Sequence, residues 1–416
     1  MKAIPFILLL FIVRGVFSQS DGALVSNSSI DARHWEINKT SLPLNGLCKF
    51  FEGQLLTPLE CKTASGILID FPSLFKSKNK DESGLGYATY LITVVVPTDE
   101  RAFALTLPQI YSSYQLWANG EVIATNGIVA KTKEESRPQW RPQTVAFQIQ
   151  SDTLSLVLQI ANFHHAKGGI KEPIYLGKSS LLEFKRSVSE VSKFAEASLL
   201  GALGFLFLVI YFTHKRNKAV IYFALLCLTW SLRSLFSNLY LFISIYPDFD
   251  WNAMVRIEYI TLYLAMIWSI LFLTSLFFQE ANVIIKYGLV FCNVLFAAFT
   301  MSSTPRLFTQ GLNVYLIVSG VLLIYSGYIV VRAWINERTG SGLLTISIIL
   351  GLNIFGYDIF VYEGFSSYDP LIFSVGYVSI FILMSFALAF HVGLIKARAS
   401  GTTKLTYDDL YKDQLL

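Results

Sequence analysis

The sequence predicts an α+β membrane protein in which an extracytoplasmic β-sandwich or jelly roll precedes a bundle of seven transmembrane helices. Hydrophobic residues make up 53% of the 416 residues and the mean hydropathy is +0.51, which is too apolar for a soluble protein. Charged residues crowd positions 31–193, and long apolar stretches follow them. The net charge of +4 is modest and no basic stripe with interleaved aromatic residues is present, so nucleic acid is not an expected partner.

The N-terminus has the pattern of a secretory signal peptide over residues 1–18. Lys2 supplies a short basic region, residues 4–13 form an apolar core, and Val16-Phe17-Ser18 fits a small-residue cleavage site. An uncleaved anchor is the alternative, but about ten apolar residues are too few for a span that needs about 20. The mature chain is therefore expected to begin near Gln19.

Residues 19–186 form the predicted extracytoplasmic domain. Short β-branched and aromatic runs, punctuated by Pro, Gly and Asn, are typical of a sandwich. Asn119-Gly120 supplies the positive φ angles of a tight hairpin turn. The predicted strands are residues 66–71, 89–96, 102–107, 113–118, 121–124, 144–150, 154–161 and 174–176.

Residues 161–170, ANFHHAKGGI, follow a strongly apolar strand and end in two glycines, which predicts a surface loop. Its candidate ligand-binding residues are His164, His165 and Lys167, because loops of this kind commonly carry function. They are expected to bind a polar ligand or the outer membrane loops. No metal or other cofactor is expected, since no third ligand is spaced to join the two histidines.

Aromatic residues near the hairpin are a second group of candidates. Tyr114, Trp117 and Trp140, together with Asn119 of the turn, are interpreted as an aromatic platform for a sugar-like ligand. The alternative is that the aromatic rings belong to the core. Strand alternation buries at least one of Tyr114 and Trp117.

Of the four cysteines, Cys48 and Cys61 lie in the exported region, where an oxidising compartment permits a disulfide between them. Spacing alone does not set their geometry, so two free buried thiols are the alternative. Cys227 and Cys292 fall inside predicted spans.

Residues 187–395 form the predicted membrane domain, and residues 396–416 form a short cytoplasmic tail. Seven apolar stretches in the membrane domain approach the roughly 20 residues that a helix needs to cross a bilayer. The predicted spans are residues 194–213, 219–243, 256–278, 283–301, 313–333, 343–362 and 371–394. The polar breaks between them are short, so consecutive helices should pack up and down.

Export of the first domain directs the first span inward and places the chain's end in the cytoplasm. The basic residues then give an independent test of orientation, because Lys and Arg collect on the cytoplasmic side. The inner loops and tail hold Lys215, Arg216, Lys218, Lys286, Arg332, Arg338, Lys396, Arg398 and Lys404, whereas the outer loops hold Arg256 and Arg306. Both signals predict one orientation in the lipid bilayer.

Three ionisable residues fall within predicted spans, where a charge costs a few kcal/mol unless it has a partner or a water-filled pocket. Arg233, Glu258 and Asp358 all lie in the predicted outer half of the bundle, so opposite charges at one depth can pair. Two interpretations remain open. The cluster is an outer polar pocket that binds a ligand or senses the docked domain, or it is a static packing pair.

The order of the parts, the segment SSYQLWANGEVIATNG (112–127) and the loop ANFHHAKGG (161–169) resemble the bacterial seven-transmembrane receptors with diverse intracellular signalling modules. The resemblance covers almost the whole mature chain. It implies a jelly-roll extracellular domain likened to galactose-binding-like domains, located outside a bacterial inner (cytoplasmic) membrane. It also implies a sensor that passes a ligand signal inward.

Members of that family usually continue after the seventh helix into a kinase, cyclase or phosphatase domain. This chain has about twenty residues after Ile395, too few for a catalytic domain, so either a separate cytoplasmic signalling protein serves as partner or the sequence is truncated. The predicted function is a signalling receptor for a small-molecule or carbohydrate ligand, and not an enzyme. The alternatives are a transporter, a membrane-embedded enzyme and a surface-binding protein anchored by the bundle.

Overall fold

A computed structural model describes two domains joined by a continuous helix. The described residues are 24–26, 29–37, 39–75, 84–97, 100–213, 216–363 and 368–393. The predicted signal peptide at 1–18 and the predicted tail at 396–416 lie outside the described residues.

The first domain is a β-sandwich. Its strands are β1 (Leu24–Ser26), β2 (Ser29–Asp31), β3 (Leu42–Pro43), β4 (Gly46–Glu52), β5 (Ile67–Phe71), β6 (Gly86–Val95), β7 (Ala102–Leu107), β8 (Ile110–Tyr111), β9 (Ser113–Ala118), β10 (Glu121–Asn126), β11 (Gln143–Gln148), β12 (Thr153–Asn162), β13 (Gly169–Ile170) and β14 (Tyr175–Lys178). The larger sheet has the strand order β1-β2-β6-β12-β9-β10, with β4 paired to β6 and β5 paired to β4, and the smaller sheet has the order β11-β7-β14-β3. β8 and β13 form a separate pair.

The core of the sandwich lies between the two sheets. Alternate residues of β6 and β12, such as Ile92 and Leu156, meet Phe103 and Leu105 of β7 there, and all four are at most 1% exposed. Alternation of this kind places every second side chain on one face of a strand. All eight predicted strands are present within a few residues of their predicted bounds, whereas the sequence analysis missed the seven-residue β4 and the short strands β1, β2, β3, β8 and β13.

The predicted hairpin is confirmed. Ala118 of β9 pairs with Glu121 of β10, so Asn119 and Gly120 are the two turn residues. Their φ angles are 48° and 95°, the region that this turn requires.

Seven helices in the described part of the chain are long and apolar enough to cross a membrane, which confirms the predicted fold class. Their ends differ most from the predicted spans at two places. The first begins at Ser179 rather than residue 194, and the second ends at Phe236 because Asn238 and Tyr240 take positive φ angles. The helices are α1 (Glu60–Thr63), α2 (Ser179–Thr213), α3 (Lys218–Phe236), α4 (Leu241–Ile245), α5 (Trp251–Leu276), α6 (Val283–Ser302), α7 (Pro305–Gln310), α8 (Leu312–Ile335), α9 (Ser341–Glu363) and α10 (Pro370–His391).

Six of the membrane helices form a ring in the order α2-α3-α5-α8-α9-α10, and α10 packs against α2 to close it. α6 lies outside the ring against α5 and α8. Short polar segments separate consecutive helices, and several begin at a capping residue, as Asp250 accepts from Ala253 N at the start of α5. The ring leaves an interior space between α3, α5, α8, α9 and α10.

The sandwich sits on one end of this ring, which we name the sandwich side, and the opposite end is the far side. The first turns of α2 pack on β7, β11 and β14, so the helix continues from the sandwich into the bundle without a break. Lys185 of α2 donates to Ser41 Oγ at 3.0 Å. A continuous helix thus joins the two domains.

Candidate functional site

The loop at residues 161–170 is fixed by one buried asparagine. Asn162 Nδ2 donates to the carbonyl oxygens of Gly84, His165 and Lys167 at 2.6, 2.8 and 3.0 Å. Its Oδ1 accepts from the backbone N–H of His165 at 3.0 Å. A fully bonded amide at 0% exposure holds the loop in a single shape.

His165 is the buried member of the predicted histidine pair, at 4% exposure. Its Nδ1 lies 3.0 Å from the backbone N and 3.1 Å from the carbonyl oxygen of Lys167, so the loop backbone supplies a hydrogen-bond partner for either tautomer of the ring. Burial lowers the pKa of His165 to about 3, so the ring is neutral at pH 7. Burial also lowers the pKa of His164, and its Nδ1 has no hydrogen-bond partner among the described residues.

Five rings from both domains meet beneath this loop, and we name them the junction cluster: Tyr111, Trp140 and His165 of the sandwich, with Tyr240 and Trp251 of the bundle. His165 stacks on Tyr111 at 4.8 Å between centroids and meets Trp140 edge-on at 5.1 Å. Trp140 in turn contacts Trp251 at 5.3 Å and Tyr240 at 5.5 Å. Aromatic pairs at these distances add stabilisation beyond their buried area, so the cluster couples the two domains.

Two hydrogen bonds reinforce the junction. Gln139 Nε2 donates to the Pro247 carbonyl at 2.7 Å, and the Ala166 N–H donates to Thr309 Oγ1 at 3.3 Å. Pro247 lies between α4 and α5, and Thr309 lies in α7. The predicted contact of the 161–170 loop with the membrane loops is therefore present in the structure.

Below the junction cluster lies a cavity of about 560 Å³. Its roof is formed by the sandwich, with Tyr111, Trp140, His165 and Lys167. Its walls are formed by α3, α5, α8, α9 and α10, and they reach down to Leu273, Leu344 and Met384. One cavity therefore contacts both domains, in the size range of small-molecule sites.

The predicted charged trio lies in the upper wall of this cavity, because Arg233, Glu258 and Asp358 all line it. Arg233 Nη1 donates to the backbone carbonyl of Glu258 at 2.6 Å, and Glu258 Oε2 accepts from Tyr240 Oη at 3.2 Å. None of the ion pairs among the described residues includes Arg233. The three side chains line one cavity but do not neutralise one another by direct pairing.

A second ionic group, which the sequence analysis missed, lies beside the trio. Lys193 Nζ and Glu196 Oε2 of α2 form an ion pair at 2.8 Å, with side chains 2% and 1% exposed. Glu196 also accepts from Ser234 Oγ of α3 at 2.6 Å and from Ser374 Oγ of α10 at 2.7 Å. The carboxylate thus connects three helices. A polar cavity of about 50 Å³ separates this pair from Arg233 and Asp358.

The prediction of an aromatic platform at Tyr114 and Trp117 is wrong, because both faces of β9 are covered. Tyr114 is 1% exposed in the sandwich core, where its hydroxyl accepts from Gln143 Nε2 at 2.7 Å. Trp117 is 9% exposed and packs with Phe51 on the opposite face of the sheet. Asn119 fixes the hairpin by accepting from Ser155 N at 2.7 Å and donating to Thr153 O at 3.2 Å.

The candidate disulfide is also absent, since Cys48 and Cys61 are free thiols. Cys48 points into the core between the sheets, whereas Cys61 of α1 packs on the outer face of the larger sheet. Two cysteines on opposite faces of one sheet cannot be bridged without moving the backbone. Burial raises the pKa of the Cys48 thiol to about 12 and that of the Cys61 thiol to about 11.

Of the predicted site residues, the structure gathers Trp140, His165 and Lys167 with the charged trio around one cavity. The overlooked pair had a signal in the sequence, since Glu196 falls inside the predicted first span as an ionisable residue. Asn162 had a weaker signal, as the polar residue that ends an apolar strand.

Comparison with known proteins decides the class of the membrane domain. Residues 197–390 match the family described as 7TM diverse intracellular signalling. The seven-helix domain belongs to this family. The matched segment runs from α2 to α10 and contains Arg233, Glu258 and Asp358, so the cavity wall is part of the 7TM signalling domain. The chain is a multi-pass membrane protein whose membrane domain matches a signalling family.

Solved structures resemble part of this chain at low identity. They include a putative β-galactosidase from Bacteroides fragilis, at 14% identity over 33% of this chain and 23% of that one, with a TM-score of 0.25. The β-glucuronidase of Ruminococcus gnavus gives 13% identity, 33% and 28% coverage and a TM-score of 0.25. That of Bacteroides uniformis gives 16% identity, 33% and 17% coverage and a TM-score of 0.25. The chain therefore spans less than a third of each enzyme, and no curated protein matches it.

Proposed function

We propose that this chain is a transmembrane signalling receptor that binds its ligand in the cavity shared by the sandwich and the bundle. The observation that carries the proposal is the cavity itself, whose roof belongs to one domain and whose walls belong to the other. A ligand in contact with both domains changes their relative packing whenever it prefers one arrangement.

Two features of the bundle support transmission of such a change. Glu196 connects α2 to α3 and α10, and α2 is continuous with the sandwich, so a shift of the roof reaches three helices at once. On the far side, Arg338 Nε pairs with Glu280 Oε1 at 2.8 Å and joins the α8–α9 turn to the α5–α6 turn. We propose that a signalling partner reads the arrangement of these far-side turns.

We propose that the sandwich side faces the outside of a bacterial inner membrane and the far side faces the cytoplasm. The excess of basic residues in the far-side turns and the secretory pattern of residues 1–18 support this orientation. Leu59, in the sandwich, is 76% exposed and Ile284, at the start of α6, is 82% exposed. In intact spheroplasts, a membrane-impermeant maleimide should label Leu59→Cys but not Ile284→Cys; the reverse pattern would contradict the orientation.

The distance between α6 and α8 on the far side tests the receptor function. Spin labels at Ile284→Cys and Ile335→Cys, both exposed, report the separation of α6 and α8. Cys292→Ala removes the one native thiol that is not buried. Full-length protein in nanodiscs is given a panel of sugars and of alkyl amphiphiles, and each compound is also scored for thermal stabilisation. We expect a stabilising compound to change the distance distribution.

A transporter is the second candidate, because the cavity reaches deep into the bundle. Its lower end meets packed core residues, including Ile329 and Leu388 at 0% exposure, which favours a receptor. If a stabilising compound left the far-side distance unchanged and crossed the membrane of proteoliposomes, the transporter would replace the receptor. The panel includes sugars because a carbohydrate ligand is still a candidate, although the buried Tyr114 and Trp117 would not contact it.

A further inference from the structure

We infer that the cavity accepts an amphiphile with one long apolar chain and a compact zwitterionic head. This inference rests on the proposed function, since it names the ligand class of the same site. Three properties of the cavity support it: its length, its apolar lower part, and its upper part, which is lined by both positively and negatively charged side chains.

The cavity is long in the direction of the helices. Along α5 it is lined successively by Glu258, Leu262, Met266, Ser269 and Leu273. This spacing keeps one face of the helix toward the cavity. Fifteen residues at 1.5 Å per residue give a depth of about 22 Å. A chain-like ligand lying along the bundle would use that depth, whereas a compact ligand would fill only part of it.

The lower part of the cavity offers few hydrogen bonds. Four serines line it, but three of them already donate to backbone carbonyls: Ser269 to Met266 at 2.9 Å, Ser319 to Leu316 at 2.9 Å and Ser347 to Ile380 at 3.4 Å. Only the Ser326 hydroxyl has no partner among the described residues. The remaining lower wall is aliphatic or aromatic, including Leu322, Leu344 and Phe381.

A ligand that filled this lower part with hydroxyl groups would leave most of them without partners, which costs a few kcal/mol for each group. A hydrocarbon chain has no polar groups that need hydrogen-bond partners, so it avoids this cost. The lower cavity therefore selects an apolar segment and disfavours an oligosaccharide.

The upper part of the cavity carries both signs of charge. Arg233 uses one guanidinium N–H on the Glu258 carbonyl, while the carboxylates of Glu258 and Asp358 face the same space. A purely anionic head would meet two carboxylates, and a purely cationic head would meet the guanidinium. A head that bears both a phosphate and an ammonium can pair with each.

The roof adds a donor for such a head. Trp140 lines the cavity at 2% exposure, and its indole N–H has no hydrogen-bond partner among the described residues. A buried donor without a partner is uncommon and is costly unless a ligand or water accepts from it. Trp140 also lies in the junction cluster, so a head bound there would contact both domains.

The test uses full-length protein in nanodiscs and four probes that share a dodecyl chain: dodecylphosphocholine, dodecanoate, dodecylammonium and dodecyl maltoside. Maltose alone is the soluble-sugar arm. We expect dodecylphosphocholine to raise the melting temperature saturably and at the lowest concentration of the five. In a series of phosphocholines from octyl to hexadecyl, stabilisation should rise and then fall once the chain exceeds the cavity. Non-specific partition into lipid would instead rise throughout.

Gly351→Phe places a ring in the cavity about 10 Å below Asp358, at seven residues of helix rise. A methyl group at Gly351 would lie 3.8 Å from Ile380 Cδ1, so there is room for a side chain to enter. The control is Leu352→Phe, one residue away at 41% exposure on the outer face. We expect Gly351→Phe to abolish stabilisation by dodecylphosphocholine and Leu352→Phe to retain it.

Arg233→Gln should weaken dodecylphosphocholine binding by about tenfold or more, the usual effect of losing a charge-assisted hydrogen bond. Equal stabilisation by all four dodecyl probes would overturn the inference, as would unchanged binding in Gly351→Phe. Stabilisation by maltose alone, with a change in the far-side distance, would also overturn it and leave the proposed receptor standing. Binding of dodecylphosphocholine without any far-side change would support the ligand class and contradict the receptor.

Discussion

Two charged groups lie next to each other in the sandwich-side half of the bundle, and they differ in how their charges are satisfied. The Lys193–Glu196 pair is closed: the ions contact each other at 2.8 Å and Glu196 accepts two further hydrogen bonds from serine hydroxyls. The Arg233, Glu258 and Asp358 trio is open, since its members line a cavity without pairing directly. A closed group stabilises one packing, whereas an open group keeps its capacity for a ligand.

The largest expected effect is on the closed pair. Glu196→Ala removes the partner of a lysine that is 2% exposed and the carboxylate that accepts from Ser374, whereas Ser234 keeps the Trp230 carbonyl as an acceptor at 3.0 Å. We expect the full chain to lose about 3–5 kcal/mol of stability, the usual cost of an uncompensated buried charge. Unfolding in mild detergent measures it.

The matched control is the double variant Lys193→Met and Glu196→Leu, which removes both charges together. It should be clearly more stable than Glu196→Ala, because neither charge is left alone. Equal destabilisation by the single and double variants would show that packing, rather than the closed ion pair, holds these three helices.

The next effect concerns the roof of the cavity, where His165 is buried as a neutral group. Its pKa of about 3 lies below the unfolded value, so the unfolded state binds more protons between about pH 6.5 and pH 3. The stability that the neutral His165 ring contributes is therefore fully present above about pH 6.5, and it is lost as the pH falls from about 6.5 to about 3. Between pH 7 and pH 5 the loss should be about 2 kcal/mol.

His165→Gln should remove most of this pH dependence in unfolding of the full chain, followed by the tryptophan signal of the junction cluster. His34→Gln, at an exposed position, is the control and should leave the slope unchanged. A slope that survives in His165→Gln would place the proton uptake elsewhere and would weaken the account of a neutral roof.

A smaller effect on stability is expected at the open trio. Arg233→Gln keeps an amide donor for the Glu258 carbonyl and breaks no ion pair among the described residues, so stability should change by no more than about 1 kcal/mol. The same variant should lose most of its stabilisation by dodecylphosphocholine. A loss of stability as large as that of Glu196→Ala would mean that the trio is a packing device and not an open site.

The smallest effect on stability is expected for Asp358→Asn, because no hydrogen bond from another residue holds this carboxylate in the described structure and its side chain retains accessible surface facing the cavities. Its stability should change by less than about 0.5 kcal/mol. Its preference among head groups should shift from phosphocholine toward the anionic dodecanoate. Competition between the two probes measures that shift, and an unchanged preference would remove Asp358 from the ligand site.

The fold was predictable from the sequence because burial leaves a strong periodic signal. Alternation located eight strands, and runs of apolar residues located the seven membrane helices. The start of α2 was misplaced, since residues 179–193 are amphipathic and contact the smaller sheet before the bundle begins. The end of α3 was also misplaced, because the turn at Asn238 and Tyr240 is set by positive φ angles and not by a change in hydropathy.

The site was predictable only in part. Depth along a helix correctly brought Arg233, Glu258 and Asp358 together, because rise per residue is regular. Which face of β9 is covered depends on α1 and on β4, which the sequence analysis did not assign, so Tyr114 and Trp117 were misread. Lys193 and Glu196 were overlooked because they sit at the predicted start of a span. The roof over the cavity depends on contacts between distant segments, which one sequence does not reveal.

Ligand binding in the shared cavity and movement of the far side are proposed to be one event. A titration with dodecylphosphocholine, followed both by thermal stabilisation and by the distance between spin labels at positions 284 and 335, measures the two together. We expect a single midpoint for both signals in the chain with native cavity residues, and a shift of both midpoints together in Arg233→Gln. Saturated binding with an unchanged label distance would show that the cavity and the far side are not coupled.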